Sequence, residues 1–426
     1  MKTTNFWIED LARPVELPST PEPVSLPSRV DVAIVGAGYT GLNAARVLRQ
    51  RGATVAILER YSVGFGASSR NGGMLTPGIK APIKTIFKRY GSILGRTFWQ
   101  ASLDAIDLVE SVVAEGAIDC DFERTGHVAL AHKPAHFERM VEQAAWYARH
   151  LDYEVTPVTK EGLKSEIGGD AYYGGLVDES SAGLHPAKYV RGLGAHVRDL
   201  GACLSELTEV HEIEPADGSF RLKTSQGDLR ADEVLLATNG YTGSMLPGLA
   251  RRTFAVGSYI VVTEPLAHEL QRAVSPKGRM FYDSKNFLNY FRLTPDGRLL
   301  FGGRNNLSTG LDLKESALRL QARLTEVFPQ LAGVPLTHSW SGRLGMTFDL
   351  MPHIGRVNGV HYALGYCGHG VSIASYVGSE VGLMLSNGQY RSPFAEIPHQ
   401  TRFFYRGWPW FIPLAAWYYR LLDWIR

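Results

Sequence analysis

The stretch VDVAIVGAGYTGLNAARVLRQRGATVAILER, Val30 to Arg60, constrains the fold more than any other part of the chain. Val30–Val35 is apolar and β-branched, as a buried parallel strand should be. Three glycines follow at the spacing of a dinucleotide-binding turn. Gly36 permits the tight turn, Gly38 lets the backbone approach a pyrophosphate, and Gly41 lets the next helix pack on the strand. Ala37, Tyr39 and Thr40 complete this cradle at the helix N-terminus, which points its amides at the phosphates. Ala53–Leu58 is a second strand. Glu59 ends it where an acid hydrogen-bonds a ribose hydroxyl, and Arg60 adjoins it. An acid there disfavours a 2′-phosphate, so NADP is a poor fit. The glycines alone bind any ADP moiety and leave NAD and FAD open.

The next residues bear on that choice. GFGASSRNGGML, Gly64 to Leu75, is a second loop rich in glycine and serine. Its free amides and hydroxyls suit continued contact with a pyrophosphate or a ring edge. A nicotinamide dehydrogenase has no need of a second cradle directly after its acid, whereas FAD runs on past the fingerprint. An ordinary surface loop also favours Gly and Ser, and that reading stays open. Much later, NGVHYALGYCGHGVSIASYVGSEVGLML repeats strand, glycine turn and helix. Gly365, Gly368 and Gly370 precede an apolar helix whose N-terminal amides suit an oxygen carrying negative charge.

The glycine cradles lie near the start, middle and end of 426 residues, so the nucleotide-binding part is expected to be discontinuous. The expected fold is α/β: a Rossmann-like FAD-binding domain of the glutathione-reductase type, with an inserted α+β substrate domain carrying a mixed antiparallel sheet. The expected division is an extended arm over 1–29 and an FAD-binding domain over 30–80, 170–245 and 340–392. The substrate domain takes 81–169 and 246–339, and an aromatic extension takes 393–426. Residues 81 to about 150 read as helical from apolar spacings of three and four. Lys+Arg 44 against Asp+Glu 42 is too balanced to argue for nucleic acid. Three distant cysteines (Cys120, Cys203 and Cys367) make a metal site or disulfide framework a poor reading and fit a reducing cytoplasm. The N-terminus lacks the apolar core of a secretion signal, and no run is long and apolar enough to span a bilayer.

Taken together, FWIEDLARP, VDVAIVGAGYTGL, GASSRNGGML, GLHPAKYVRGL, EVLLATNGYT, YFRLTPDGRLLFGGR, WSGRLGMTFDLMPHIGR and GYCGHGVSIASYVGSEVG resemble the D-amino-acid-oxidase-type flavoproteins. Within that family they are most similar to the bacterial γ-glutamylputrescine oxidase subgroup. The resemblance implies tightly held FAD. It implies that Ala67, Ser68, Ser69 and Arg70 continue along the phosphates and ribityl chain. It implies that Gly72, Gly73, Met74 and Leu75 lie against the flavin near its N5 edge. Val210 would meet adenine through its backbone, with Thr238 and Asn239 on the adenosine side. Gly342 would adjoin the ring, and Gly368, His369, Gly370, Val371 and Ser372 would face its pyrimidine end.

Departures from the family pattern carry information. Sarcosine-type relatives attach flavin through a cysteine near the segment matching GRLGMTFD; none lies there, so noncovalent FAD follows. Glycine and D-amino-acid oxidases place a carboxylate-clamping arginine where this chain has Leu344, and Arg343 beside it points to the other face of a strand. An amine is therefore expected rather than an α-amino acid. Sarcosine-type relatives also place a lysine near the flavin, and around DGRLLFGGR this chain has Leu299 and Leu300.

The implied reaction is hydride transfer from the carbon beside an amine nitrogen to flavin N5. The imine hydrolyses to an aldehyde, and O2 becomes H2O2. The alternative is a dehydrogenase passing electrons to a membrane quinone. No acid–base triad is implied. His369 is the first candidate for tuning substrate or flavin, because imidazole titrates near neutrality; a helix-cap or core histidine is the competing reading. Tyr259, Tyr290 and Trp340 are candidates to line the substrate cavity or, equally, to be core. His353 reads as structural. Glu264 and Asp349 are candidates for a cationic tail or plain surface carboxylates. The terminal FFYRGWPWFIPLAAWYYRLLDWIR places Leu414, Trp417, Tyr418, Leu421, Leu422 and Ile425 on one helical face. Packing on the protein or on a second subunit is favoured over peripheral membrane contact.

Overall fold

The computed structural model describes residues 1–11, 25–243 and 245–425. Two large sheets organise it. The first carries the fingerprint. Its strand Arg29–Val35 pairs in parallel with Val55–Leu58 on one side and with Gly227–Leu236 on the other. Cys203–Ser205 extends one edge in parallel, and Val360–Leu364 with His353–Val357 extends the other. Parallel strands lie between helical layers and must be apolar on both faces. Val55–Leu58 is buried at every position.

Two helices cover one face of this sheet, Tyr39–Gln50 and Gly370–Ser386. They touch because glycines face the contact. A Cβ at Gly378 would lie 2.4 Å from the Thr40 carbonyl oxygen, and one at Gly382 would lie 2.8 Å from Val47 Cβ. Close approach brings both helix N-termini to the same cavity. The helix Ile83–Glu115 packs there too, through Phe98, Ile106 and Val109.

The second sheet is mixed. Its long strands Thr253–Thr263 and Leu336–Thr347 run antiparallel, while Met280–Asp283 pairs in parallel with His127–Leu130. One face packs on the helix Leu313–Val327 around Tyr259, Val261, Phe291 and Phe301. The other face turns toward the first sheet. This is the FAD-binding domain plus substrate domain of the expected fold class.

The structure departs from the expected division in several places. Gly174–Asp178 and Leu336–Thr347 pair in the second sheet, although 170–245 and 340–392 are expected with the nucleotide part. Helix Ile83–Glu115 packs with the nucleotide-side core, although 81–169 is expected with the substrate part. The strand His127–Leu130 interrupts the helical reading of 81–150. The expected extended arm opens with a helix, Phe6–Leu11. Trp7 is fully buried, and its indole N–H donates to the Asn71 carbonyl at 2.9 Å. Asn5 Nδ2 donates to the Ser69 carbonyl at 2.8 Å. The first residues thus fasten the second glycine loop. The remainder of that arm, 12–24, lies outside the described residues, as does the side chain of Ile425.

Candidate active site

A cavity of about 780 Å³ lies between the two sheets, within the roughly 300–1,000 Å³ of small-molecule sites. One end is built by the fingerprint. Gly36, with φ +107, turns the chain, and a Cβ at Gly41 would sit 2.1 Å from the Gly36 carbonyl oxygen. Strand and helix can meet only through a glycine there. Gly36, Gly38, Tyr39 and Thr40 line the cavity. Ala37 and Gly41 do not line it; both act from behind. The Ala37 N–H donates to Glu59 Oε2 at 2.9 Å, and the Tyr61 N–H donates to Oε1 at 3.0 Å. Burial pushes the Glu59 carboxyl above the usual carboxylate range, and these two amides oppose that shift. Glu59, Arg60 and Val210 form the cavity's far wall here, with Thr238 and Asn239 beside them.

Asn239 has φ +42, and its Oδ1 accepts from the Gly365 N–H at 3.0 Å. It ties the end of one sheet strand to the second glycine turn. Ser68 Oγ accepts from the Tyr39 N–H at 3.1 Å, linking the second glycine loop to the fingerprint helix. Ala67, Ser68, Arg70, Gly72 and Met74 line the cavity. Ser69, Gly73 and Leu75 alternate away from it. Ser69 is buried, Gly73 accepts from the Leu184 N–H, and Leu75 pairs with Ala182. The opposite end holds Gly342, Gly368, His369, Gly370, Val371 and Ser372 at the start of the helix Gly370–Ser386.

Two catalytic candidates do not reach the cavity. Tyr259 is fully buried in the second core. Its hydroxyl donates to the Ser308 carbonyl at 2.7 Å and accepts from the Leu311 N–H at 3.0 Å. Its neighbour Ser258 lines the cavity instead, one residue along the strand and so on the other face. Trp340 shares the face of Ser258 and Gly342 but lies farther along, beneath Phe6 and Trp7. Its indole N–H donates to the Arg70 carbonyl at 3.1 Å. Tyr290 does line the cavity, with its hydroxyl 3.2 Å from Ser258 Oγ and its pKa pushed up to about 12 by burial. His353 is structural: Nε2 is 3.0 Å from Asp349 Oδ2, and the ring stacks on His399. That bond occupies the Asp349 carboxylate, while Glu264 is exposed and away from the cavity. Arg343 and Leu344 both border the cavity, the former with its guanidinium 5.7 Å from the Tyr241 ring centroid.

His369 faces the cavity, but not as a group that titrates near neutrality. Burial, then the charges of Lys80 and Arg304, push its pKa down to about 3. Its Nδ1 is buried without a hydrogen-bond partner among the described residues. Neither cation is marked as a site residue by the sequence, although Arg304 closes the stretch DGRLLFGGR. Lys80 is pushed down to about 8 by burial first and then by Arg304. Arg304 is lowered by burial. Neither has a carboxylate partner among the described residues. PGIKAP gives no periodic signal for Lys80, and Arg304 follows a strand whose two leucines draw attention first.

Residues 31–382 match the family described as DAO, FAD dependent oxidoreductase. The chain belongs to the DAO family of FAD-dependent oxidoreductases. FAD is therefore its cofactor. This oxidoreductase is 32% identical over 373 residues to the γ-glutamylputrescine oxidoreductase of Escherichia coli, covering 87% of each chain. It is 33% identical over 363 residues to a probable oxidoreductase, OrdL, of Haemophilus influenzae, covering 84% of this chain and 83% of that one. In fold it is similar to glycine oxidase from Geobacillus kaustophilus, with TM-score 0.74 and 22% identity, covering 88% of this chain and 100% of that one. The donor set fits the cofactor. A dinucleotide needs amides for its phosphates and an acceptor for a ribose hydroxyl, and this cavity offers glycine backbone, two helix N-termini and the Glu59 carboxylate.

Proposed function

We propose that the protein oxidises a small-molecule amine, a polyamine derivative or a secondary amine, to an aldehyde, with O2 reduced to H2O2. For a primary amine the balance is R–CH2–NH2 + O2 + H2O → R–CHO + NH3 + H2O2. One observation carries this reading: the cavity that the dinucleotide cradles line is also lined by Tyr290, Ser258, Lys80, Arg304 and His369. The relative named for γ-glutamylputrescine supports an amine as the donor.

In this reading Gly36, Gly38, Tyr39 and Ser68 hold the pyrophosphate, and Glu59 takes the ribose. Arg70, Gly72, Met74 and the 368–372 turn bracket the ring. Bound there, FAD supplies the acceptor for a hydride leaving the carbon beside the amine nitrogen. The chain orients the substrate and excludes water. Tyr290, kept protonated by burial, offers a hydroxyl to the substrate. Lys80 and Arg304 take an anionic substituent at the end remote from the oxidised carbon. A γ-glutamyl group carries such a carboxylate. Leu344, in place of a clamp beside the reacting carbon, supports a remote carboxylate rather than that of an α-amino acid. FAD is held noncovalently: Cys367 borders the cavity, but burial raises its thiol and Sγ lies 3.2 Å from the Gly365 carbonyl oxygen. The free cysteines support the cytoplasm as its compartment.

Anaerobic mixing with a panel of amines tests the reading. Bleaching of the flavin by polyamine derivatives, followed by peroxide release in air, is expected. No bleaching by any amine would sink it, and reduced enzyme persisting in air for minutes would remove O2 as acceptor. His369 gives a second check. Because its imidazole is neutral above about pH 3, His369→Gln is expected to leave the shape of the kcat/KM profile between about pH 5 and 8 unchanged. Loss of a limb in that window would show that His369 titrates in catalysis.

A further inference from the structure

The C-terminal segment is firmly mounted yet turns its aromatic side outward. Tyr405 is buried, and its hydroxyl donates to the Thr253 carbonyl at 2.7 Å. The helix Ile412–Ile425 is pinned by Asp423, whose carboxylate accepts from the Asn286 and Phe287 N–H groups at 2.7 and 2.9 Å. Arg420 donates to the Asn305 carbonyl at 2.8 Å. Ala416 is buried beside Phe287, Leu307 and Met346. Residues 412, 416 and 423 thus mark the inward face of this helix.

The outward face is apolar. Leu414 is 63% exposed, Trp417 65% and Tyr418 52%, and they share one side of the helix at spacings of three and four. Phe403 at 91%, Trp408 at 77% and Trp410 at 51% continue the exposure along the preceding chain. A folded monomer seldom leaves such a patch bare without use for it. Its charge says what would cover it. From residue 397 to 422 there is no Asp or Glu, while Arg402 and Arg406 are exposed. The one following acid, Asp423, is taken up by the amides it caps.

We propose that this segment lays the protein on an anionic lipid bilayer. Tryptophan and tyrosine favour the headgroup level, and arginines beside them add attraction to acidic lipid. The helix lies in the interface rather than crossing it. Fourteen residues at ~1.5 Å each span about 21 Å, short of the ~30 Å hydrocarbon core. No described helix is long and apolar enough to cross a membrane. A second copy docked through the same face about a twofold axis would set like-charged arginines against each other, which disfavours that occupant.

Flotation of the full-length, flavin-loaded protein with vesicles tests this. One set is phosphatidylcholine alone, and the other contains about one-third phosphatidylglycerol. Binding to the anionic set is expected, with a blue shift of tryptophan emission and about tenfold weakening between low and high salt. Trp408→Ser/Trp410→Ser/Trp417→Ser is expected to lose that binding at least tenfold while keeping its flavin spectrum and its turnover of a soluble amine. Arg402→Glu/Arg406→Glu, altered only at exposed sites, is expected to lose the preference for anionic vesicles. Failure of the parent protein to bind either vesicle set would overturn the proposal. So would equal binding by the triple variant. Concentration-dependent dimerisation abolished by the triple variant, without vesicle binding, would assign the face to a second copy instead.

Discussion

Gly38→Val is expected to give a folded but colourless protein. Gly38 caps the fingerprint helix with φ −93 and ψ −174, an extended conformation that valine adopts without strain. A Cβ there would meet Ser68 Oγ at 2.9 Å, and a serine hydroxyl can rotate aside. The fold therefore survives. The valine methyls, however, occupy the space in which backbone amides must approach a pyrophosphate. Loss of two charge-assisted hydrogen bonds, at about 1.5–3 kcal/mol each, weakens FAD binding by roughly 100-fold or more. The ratio of flavin to protein absorbance, and titration of the stripped protein with FAD, measure this. The thermal midpoint should rise less with added FAD than in the parent, because stabilisation falls as the affinity of the folded state falls. Gly41→Ala is the contrasting case. Its Cβ would lie 2.1 Å from a backbone oxygen that cannot rotate away, so it is expected to lose the fold together with the flavin. A yellow Gly38→Val protein with parental affinity would show that the fingerprint turn does not hold the cofactor.

This contrast also marks what the sequence makes legible. Gly36, Gly38, Gly41 and Glu59 are readable because backbone geometry fixes their residue type and spacing locally. The second glycine loop and the GYCGHG turn are readable for the same reason. Parity within a strand is readable as alternation but not as absolute facing. Tyr259 and Ser258 are neighbours, and nothing local says which looks into the cavity. Trp340 has the cavity's parity but sits at a depth that the N-terminal helix covers. That cover is itself hidden, since residues 1–29 are expected as an extended arm while Trp7 is a buried anchor on a helix. The domain division fails where strands change sheets: Gly174–Asp178 and Leu336–Thr347 are chosen by pairing partners distant in the chain. Lys80 and Arg304 are the extreme case. They come from a proline-flanked loop and the end of a strand, and only tertiary folding brings them beside His369.

Lys80→Met and Arg304→Met are expected to raise KM for an amine bearing a remote carboxylate by roughly 10- to 150-fold each. This is the effect of removing one charged hydrogen bond of about 1.5–3 kcal/mol. An amine of the same length without the carboxylate should be little affected. The pH dependence separates the two residues. Lys80, pushed down to about 8 by burial and by Arg304, is a cation below that pH and neutral above it. Affinity for the carboxylate-bearing amine should therefore fall as pH rises through about 8. Lys80→Met should bind weakly at every pH with no such fall, whereas Arg304 stays charged throughout. Stability should move the opposite way. With a folded pKa of about 8 against 10.5 for an ordinary lysine, the unfolded chain holds more protons between those values. The Lys80 contribution to stability then rises with pH across that window and is most unfavourable below it. Lys80→Met should unfold at a higher temperature than the parent at pH 7, and the difference should narrow as pH approaches 10.5. A lysine that served the fold would behave in reverse, destabilising on removal. A half-buried cation whose loss steadies the empty protein and weakens substrate binding is held there for the substrate.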